Sequence, residues 1–141
     1  VEPDIITNYV TTGKVKIVHR MLGYGGESGI AAEAAECAGA QGRFLEFSRK
    51  LYENVVHSSP APFSRENLMG LAAIGGLDAD ELGACLESHE YAPRVQEERE
   101  AADALGIEYT PTIFINGEKI VGLMSYEVYQ KAIEKALAEG E

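Results

Sequence analysis

The chain of 141 residues has the length of one domain, and 45% hydrophobic with 25% charged residues is enough for one ordinary core. A formal net charge of -11 speaks against nucleic acid, whose phosphates need clustered Lys and Arg, and otherwise indicates only an acidic, well-solvated surface. No apolar run approaches the ~20 residues that a helical membrane span requires, and Val1-Glu2-Pro3-Asp4, which has no Met, runs straight into a helical pattern, as in a mature or trimmed piece.

In chain order, residues 3–12 read as a helix with Ile5, Ile6, Tyr9 and Val10 on one face, stopped by Gly13. Lys14 to Arg20 alternates and then thickens, which predicts a strand. Gly23-Tyr24-Gly25-Gly26 reads as a flexible connector, because its glycines lack the Lys-Ser/Thr pair of a phosphate loop. A helical block follows. Ser28 is placed to cap an alanine-rich helix over 29–39, and residues 41–54 set Phe44, Phe47 and Leu51 on one face. His57-Ser58-Ser59-Pro60-Ala61-Pro62 predicts a break. Ser64 caps a helix with Leu68, Leu71 and Ala72, ended by Gly75-Gly76. Asp78, with Glu81 three positions on, starts another that carries Leu82, Cys85 and Leu86. Pro93 falls early in a polar helix that runs to about Leu105, in which Glu97-Glu98-Arg99-Glu100 reads as a solvated face.

The most informative stretch is Gly106 to Gly117. Pro111, which lacks an N–H, stands directly before a short apolar strand, Ile113 to Ile115. Asn116-Gly117 turns the chain into a second strand, Glu118 to Val121, and a last helix from Ser125 points Tyr126, Tyr129, Ile133 and Leu137 inward. A Thr110-Pro111 bond is a candidate for the cis form, since X-Pro bonds lose most of the trans preference. One early strand and one late hairpin are each too small to stand alone, so the expectation is a single sheet interrupted by a helical insertion.

Cys37 and Cys85 lie 48 positions apart, and His19, His57 and His89 are scattered, so neither zinc spacing nor a Cys-His cluster is present and no metal or cofactor is expected. His19 and His57 read as surface or loop residues. Neither cysteine is placed at a helix start, where the dipole would favour a thiolate, so neither is expected to be redox-active. From the residues alone, a structural disulfide and two buried thiols both remain open.

The order helix, strand, helical insertion, hairpin, helix is that of a thioredoxin fold, and particular phrases sharpen it. Thr12-Gly13-Lys14-Val15, Glu27-Ser28, Ala34-Ala35-Glu36-Cys37-Ala38, Gln41-Gly42-Arg43-Phe44, Gly76-Leu77-Asp78, Cys85-Leu86-Glu87-Ser88 and Thr110 to Gly117 occur in order over nearly the whole chain. Together they resemble the DsbA-like thiol-disulfide oxidoreductases. The resemblance implies an α/β thioredoxin-like sheet with an inserted helical domain: 1–25 as a partial thioredoxin-fold half, 26–105 as the insertion, and 106–141 as the C-terminal half with the cis-proline loop.

In that family a Cys-X-X-Cys opens the first helix, and the strand before it is central to the sheet. This chain contains no Cys-X-X-Cys. The resemblance therefore implies that the first central strand and the redox cysteines lie upstream of Val1. Without that strand its two neighbours would leave backbone groups unpaired, at about 1–3 kcal/mol each where buried, so the expectation is that an upstream segment or a strand-swapped partner copy supplies it, or that the sheet rearranges.

By the same resemblance, Tyr109, Thr110 and Pro111 form the wall that holds cysteine-containing protein or peptide substrates. The Thr110 hydroxyl is positioned to tune a nearby thiolate. An oxidising, extracytoplasmic setting (periplasm or cell envelope) is implied, which favours the Cys37–Cys85 disulfide. The leading reading is thus an exported DsbA-like oxidoreductase represented without its redox cysteines. The rival is a non-catalytic thioredoxin-fold module that binds peptides. A third, a relative that transfers glutathione or isomerises small molecules, is disfavoured by the Cys37/Cys85 pair.

Overall fold

The computed structural model describes residues 1–57 and 62–140. The chain divides into two compact units. One comprises Val1–His19 with Leu105–Glu141, and the other is Arg20–Ala104.

In the first unit, α1 (Glu2–Ile5) continues directly into a π-helical segment, Ile6–Val10. Hydroxyls line this segment: Thr7 Oγ1 donates to Pro3 O at 2.9 Å and Thr11 Oγ1 to Thr7 O at 2.6 Å. Of the four residues expected inward, only Tyr9 is fully buried. The hairpin forms as the sequence predicts. β1 (Thr112–Ile115) and β2 (Glu118–Val121) pair antiparallel, with Ile113 opposite Ile120 and Phe114 opposite Lys119. Asn116 (φ 45°) and Gly117 (φ 93°) make the two-residue turn, and positive φ at both positions is what favours Asn-Gly there. The last helix (Tyr126–Glu139), α7 below, packs on β1 and buries Tyr129, Ala132 and Ile133.

The strand expected over 14–20 does not form. Among the described residues the sheet has two strands only, and residues 15–20 pair with neither. The amides of Lys14 and Val15 instead donate to Tyr9 O, at 2.9 and 3.2 Å. Alternation marks a segment suited to a sheet, but a strand exists only through its ladder partners. β1 and β2 satisfy each other across a two-residue turn, so the expected single sheet shrinks to a ribbon whose two outer edges carry no strand among the described residues.

The second unit is helical: α2 (Gly26–Ala40), α3 (Phe44–His57), α4 (Arg65–Ile74), α5 (Ala79–Ser88) and α6 (Ala92–Ala104). Its core joins Ala34, Ala35 and Ala38 of α2 to Phe47, Leu51, Leu68, Ala72, Leu82 and Leu86. The alanine face of α2 lets its neighbours approach closely, and larger side chains from α3, α4 and α5 fill the space. The predicted caps at Ser64 and Asp78 are present. Ser64 Oγ accepts from Asn67 N–H at 3.3 Å, and Asp78 Oδ1 accepts from Glu81 N–H at 2.9 Å. The expected break at 57–62 falls largely on 58–61, outside the described residues.

Three expectations change here. Ser28 does not cap α2, which begins two residues earlier; its hydroxyl accepts from Tyr24 N–H and donates to Gly25 O instead. Gly23 is no loose connector: it is buried, and a Cβ there would stand 2.9 Å from Gly29 Cα. Glu98 leaves the solvated face of α6 to pair with Arg20 and is only 11% exposed, whereas Glu97 and Glu100 stay in solvent. A charge run read without its neighbours cannot show which member meets a cation.

Candidate functional site

The Tyr109–Pro111 loop is built by the hairpin beneath it. Beyond the last strand pair, Thr112 with Val121, the Gly122 amide donates to Pro111 O at 2.8 Å. This bond carries the ladder one step past the strands and fixes the proline carbonyl. On the other side, Thr112 Oγ1 donates to Tyr109 O at 2.5 Å, closing a tight turn across the proline. The Thr110–Pro111 peptide bond is cis.

Between these two anchors Thr110 is left over. Neither its N–H nor its C=O has a hydrogen-bond partner among the described residues, and its side chain is exposed. An exposed backbone donor and acceptor held between fixed neighbours can pair with an extended peptide at little ordering cost. Beside them the Tyr109 side chain, 67% exposed, offers an aromatic surface on which an apolar side chain of that peptide can rest. The structure thus brings Tyr109, Thr110 and Pro111 into one presented element.

Three residues not singled out in the sequence complete this corner. Gly122 (φ 85°) turns the chain after β2. Leu123 and Met124 follow it, both exposed. Tyr129 looks in the sequence like one more core aromatic. Its ring is buried, but its hydroxyl donates to Gly122 O at 3.2 Å and accepts from Met124 N–H at 3.1 Å, which clamps the turn. The signal available was a glycine between a strand and the Ser125 N-cap; the tyrosine's polar duty shows only in three dimensions. Lys119 Nζ donates to the carbonyls of Leu105 and Gly106, at 3.1 and 2.7 Å, tying the approach to the loop onto β2. Lys135 of α7 donates to Glu118 at 3.1 Å, and that hydrogen bond and charge raise the lysine's pKa.

Both cysteines belong to the helical unit and are joined to each other, with Cα atoms 6.1 Å apart, linking α2 to α5. No free cysteine is present among the described residues. Of the histidines, His19 lies 3.3 Å from Glu2 and His89 3.1 Å from Glu33.

The antiparallel hairpin, the helix packed on it, the helical insertion and the proline before β1 define a thioredoxin-like α/β protein. A family model described as thioredoxin matches residues 1–135. The chain belongs to the thioredoxin family. Its fold matches oxidised BdbD from Bacillus subtilis with a TM-score of 0.79, at 24% identity, covering 96% of this chain and 76% of that one. A thioredoxin-like oxidoreductase from Silicibacter pomeroyi is similar with a TM-score of 0.64, also at 24% identity, over 80% of this chain and 62% of that one. These likenesses bear out the resemblance to the DsbA-like proteins at the level of family and fold. A Na(+)/H(+) antiporter NhaA 1 from Salinispora arenicola is 35% identical over 109 residues, which is 77% of this chain but only 16% of the antiporter's length. No helix among the described residues is long and apolar enough to cross a membrane.

Proposed function

We propose that this chain is the substrate-holding part of a DsbA-like thiol-disulfide oxidoreductase that works outside the cytoplasm, with its redox dithiol supplied from beyond these 141 residues. The observation that carries the reading is Thr110: a backbone N–H and C=O without a partner among the described residues, flanked by an exposed Tyr109 and fixed from both sides, at the head of β1. A cysteine-containing peptide lies along this loop in extended form and pairs its backbone with Thr110, which holds its sulfur in place for exchange. The Cys37–Cys85 bond supports the oxidising setting, since such bridges persist where thiols are not kept reduced. The unpaired outer edges of the ribbon support strand addition, by an upstream segment or by a second copy in a strand-swapped dimer.

The test is a titration with a short apolar peptide whose cysteine is S-methylated, followed by amide and ring NMR signals. The expected result is saturable shifts centred on the Thr110 amide and the Tyr109 ring. An unmoved Thr110 at millimolar peptide would overturn the reading.

One observation favours the rival, a non-catalytic module. The Salinispora relative is named for ion transport, and it carries the matched stretch as 16% of its length. In that case the peptide still binds, but the complete protein neither reduces nor oxidises a dithiol substrate.

A further inference from the structure

The helical unit presents a second place where sulfur chemistry is possible. Cys37 and Cys85 line an open hollow of about 370 Å³, together with Ala40, Glu81, Ala84, Ser88 and Glu90. The two sulfurs are not equally placed. Cys37 is 2% exposed and belongs to the core cluster, whereas Cys85 is only partly buried. A nucleophile entering from solvent therefore meets Cys85.

Charge decides which nucleophile enters. Two carboxylates on the adjoining helices are paired with a cation: Glu36 meets Arg94 and Glu87 meets Arg65. The two that line the hollow, Glu81 and Glu90, are exposed and have no cationic partner among the described residues. Attacking thiolates are anions, and two unpaired carboxylates beside the target repel them.

We infer that the Cys37–Cys85 bridge is a reducible cross-link, addressed at Cys85 through this hollow and selective for thiols that carry a positive charge, such as aminothiols or cysteines flanked by Lys or Arg. The thiolate attacks Cys85 Sγ and the Sγ–Sγ bond breaks. A mixed disulfide forms on Cys85, and Cys37 leaves as a thiolate that takes a proton from water. A second thiolate attacks the incoming sulfur of that mixed disulfide, releasing the oxidised small disulfide and the Cys85 thiolate. Two thiols thus supply the two electrons. Expelling Cys37 into an apolar cluster slows the first step for every reductant, but it does so equally and cancels from a ratio of rates. None of this chemistry depends on the role given to the Thr110 loop.

The experiment uses the intact chain in native buffer at low ionic strength. It compares reduction by cysteamine and by 3-mercaptopropionate, each corrected for its thiolate fraction and read as alkylated thiols by mass. Cysteamine is expected to be the faster reductant. In the double variant Glu81→Gln/Glu90→Gln its advantage shrinks about fivefold, as it does at ~1 M salt, where the screening length falls to about 3 Å. A control, Glu53→Gln/Glu66→Gln, makes the same change in net charge on residues that do not line the hollow and keeps the wild-type ratio. An unchanged ratio in Glu81→Gln/Glu90→Gln overturns the inference. So do reduction rates that stop depending on thiol concentration, because the bridge is then reached only by unfolding.

Discussion

Tyr9 is buried, and its hydroxyl donates to Glu134 at 2.9 Å. Burial, and then that hydrogen bond, push its pKa above the ordinary phenol value of about 10. The folded state therefore holds the proton more tightly than the unfolded chain does. Its contribution is complete below pH ~10 and is lost as pH climbs through the raised folded value. Tyr9→Phe should flatten this part of the alkaline stability profile. The check is urea midpoints at pH 8 and pH 11: wild type should lose more between them than the variant, and parallel losses would contradict the assignment. At this scale the sequence was informative about which residues face inward and poor about what their polar ends do. Tyr9, Tyr129 and Glu98 each take a partner that no local pattern marks, two of them far along the chain and one across a turn.

Helix α5 shows how far local rules reach. Its start was readable because a cap is a short-range arrangement: Asp78 accepts from Glu81 N–H three residues on. What the sequence did not show is how the reciprocal bond is made. The Asp78 N–H donates to Gln41 Oε1 at 2.9 Å, and Gln41 Nε2 returns a bond to Asp78 O at 3.1 Å, so the end of α2 completes the cap of α5. Asp78→Ala should cost about 1 kcal/mol, measured as a lower urea midpoint with an unchanged slope. The hairpin was legible for the same reason as the cap, since Asn116-Gly117 is a complete instruction in two residues. The strand expected over 14–20 does not form, for the opposite reason: its formation depends on a neighbour that its own residues do not specify.

For the whole molecule, the order of the five helices between the early helix and the late hairpin could be read from the sequence and the structure forms them, within a thioredoxin-like fold. The extent of the sheet could not, because ladder pairing is non-local. Each unit buries apolar side chains of its own, Tyr129 and Ile133 in the first, Phe47, Leu68 and Leu82 in the second. Within the second, the bridge spans 48 positions, and a closure of that length contributes about 4 kcal/mol in the chain-entropy account. Cys37→Ala/Cys85→Ala should therefore lower stability by up to about that amount. Hydrogen exchange should show the loss in α2, α4 and α5, while β1, β2 and α7 keep their protection; uniform loss over all these elements would contradict the expectation.

That bridge also makes a covalent ring of everything between residues 37 and 85, so α3 and α4 are carried inside a closed loop. A protease that cuts once within it, for instance after Arg49 or Arg65, opens the ring without releasing a fragment. The nicked chain keeps its full mass, plus one water, until a reductant is added, and only then separates into two pieces.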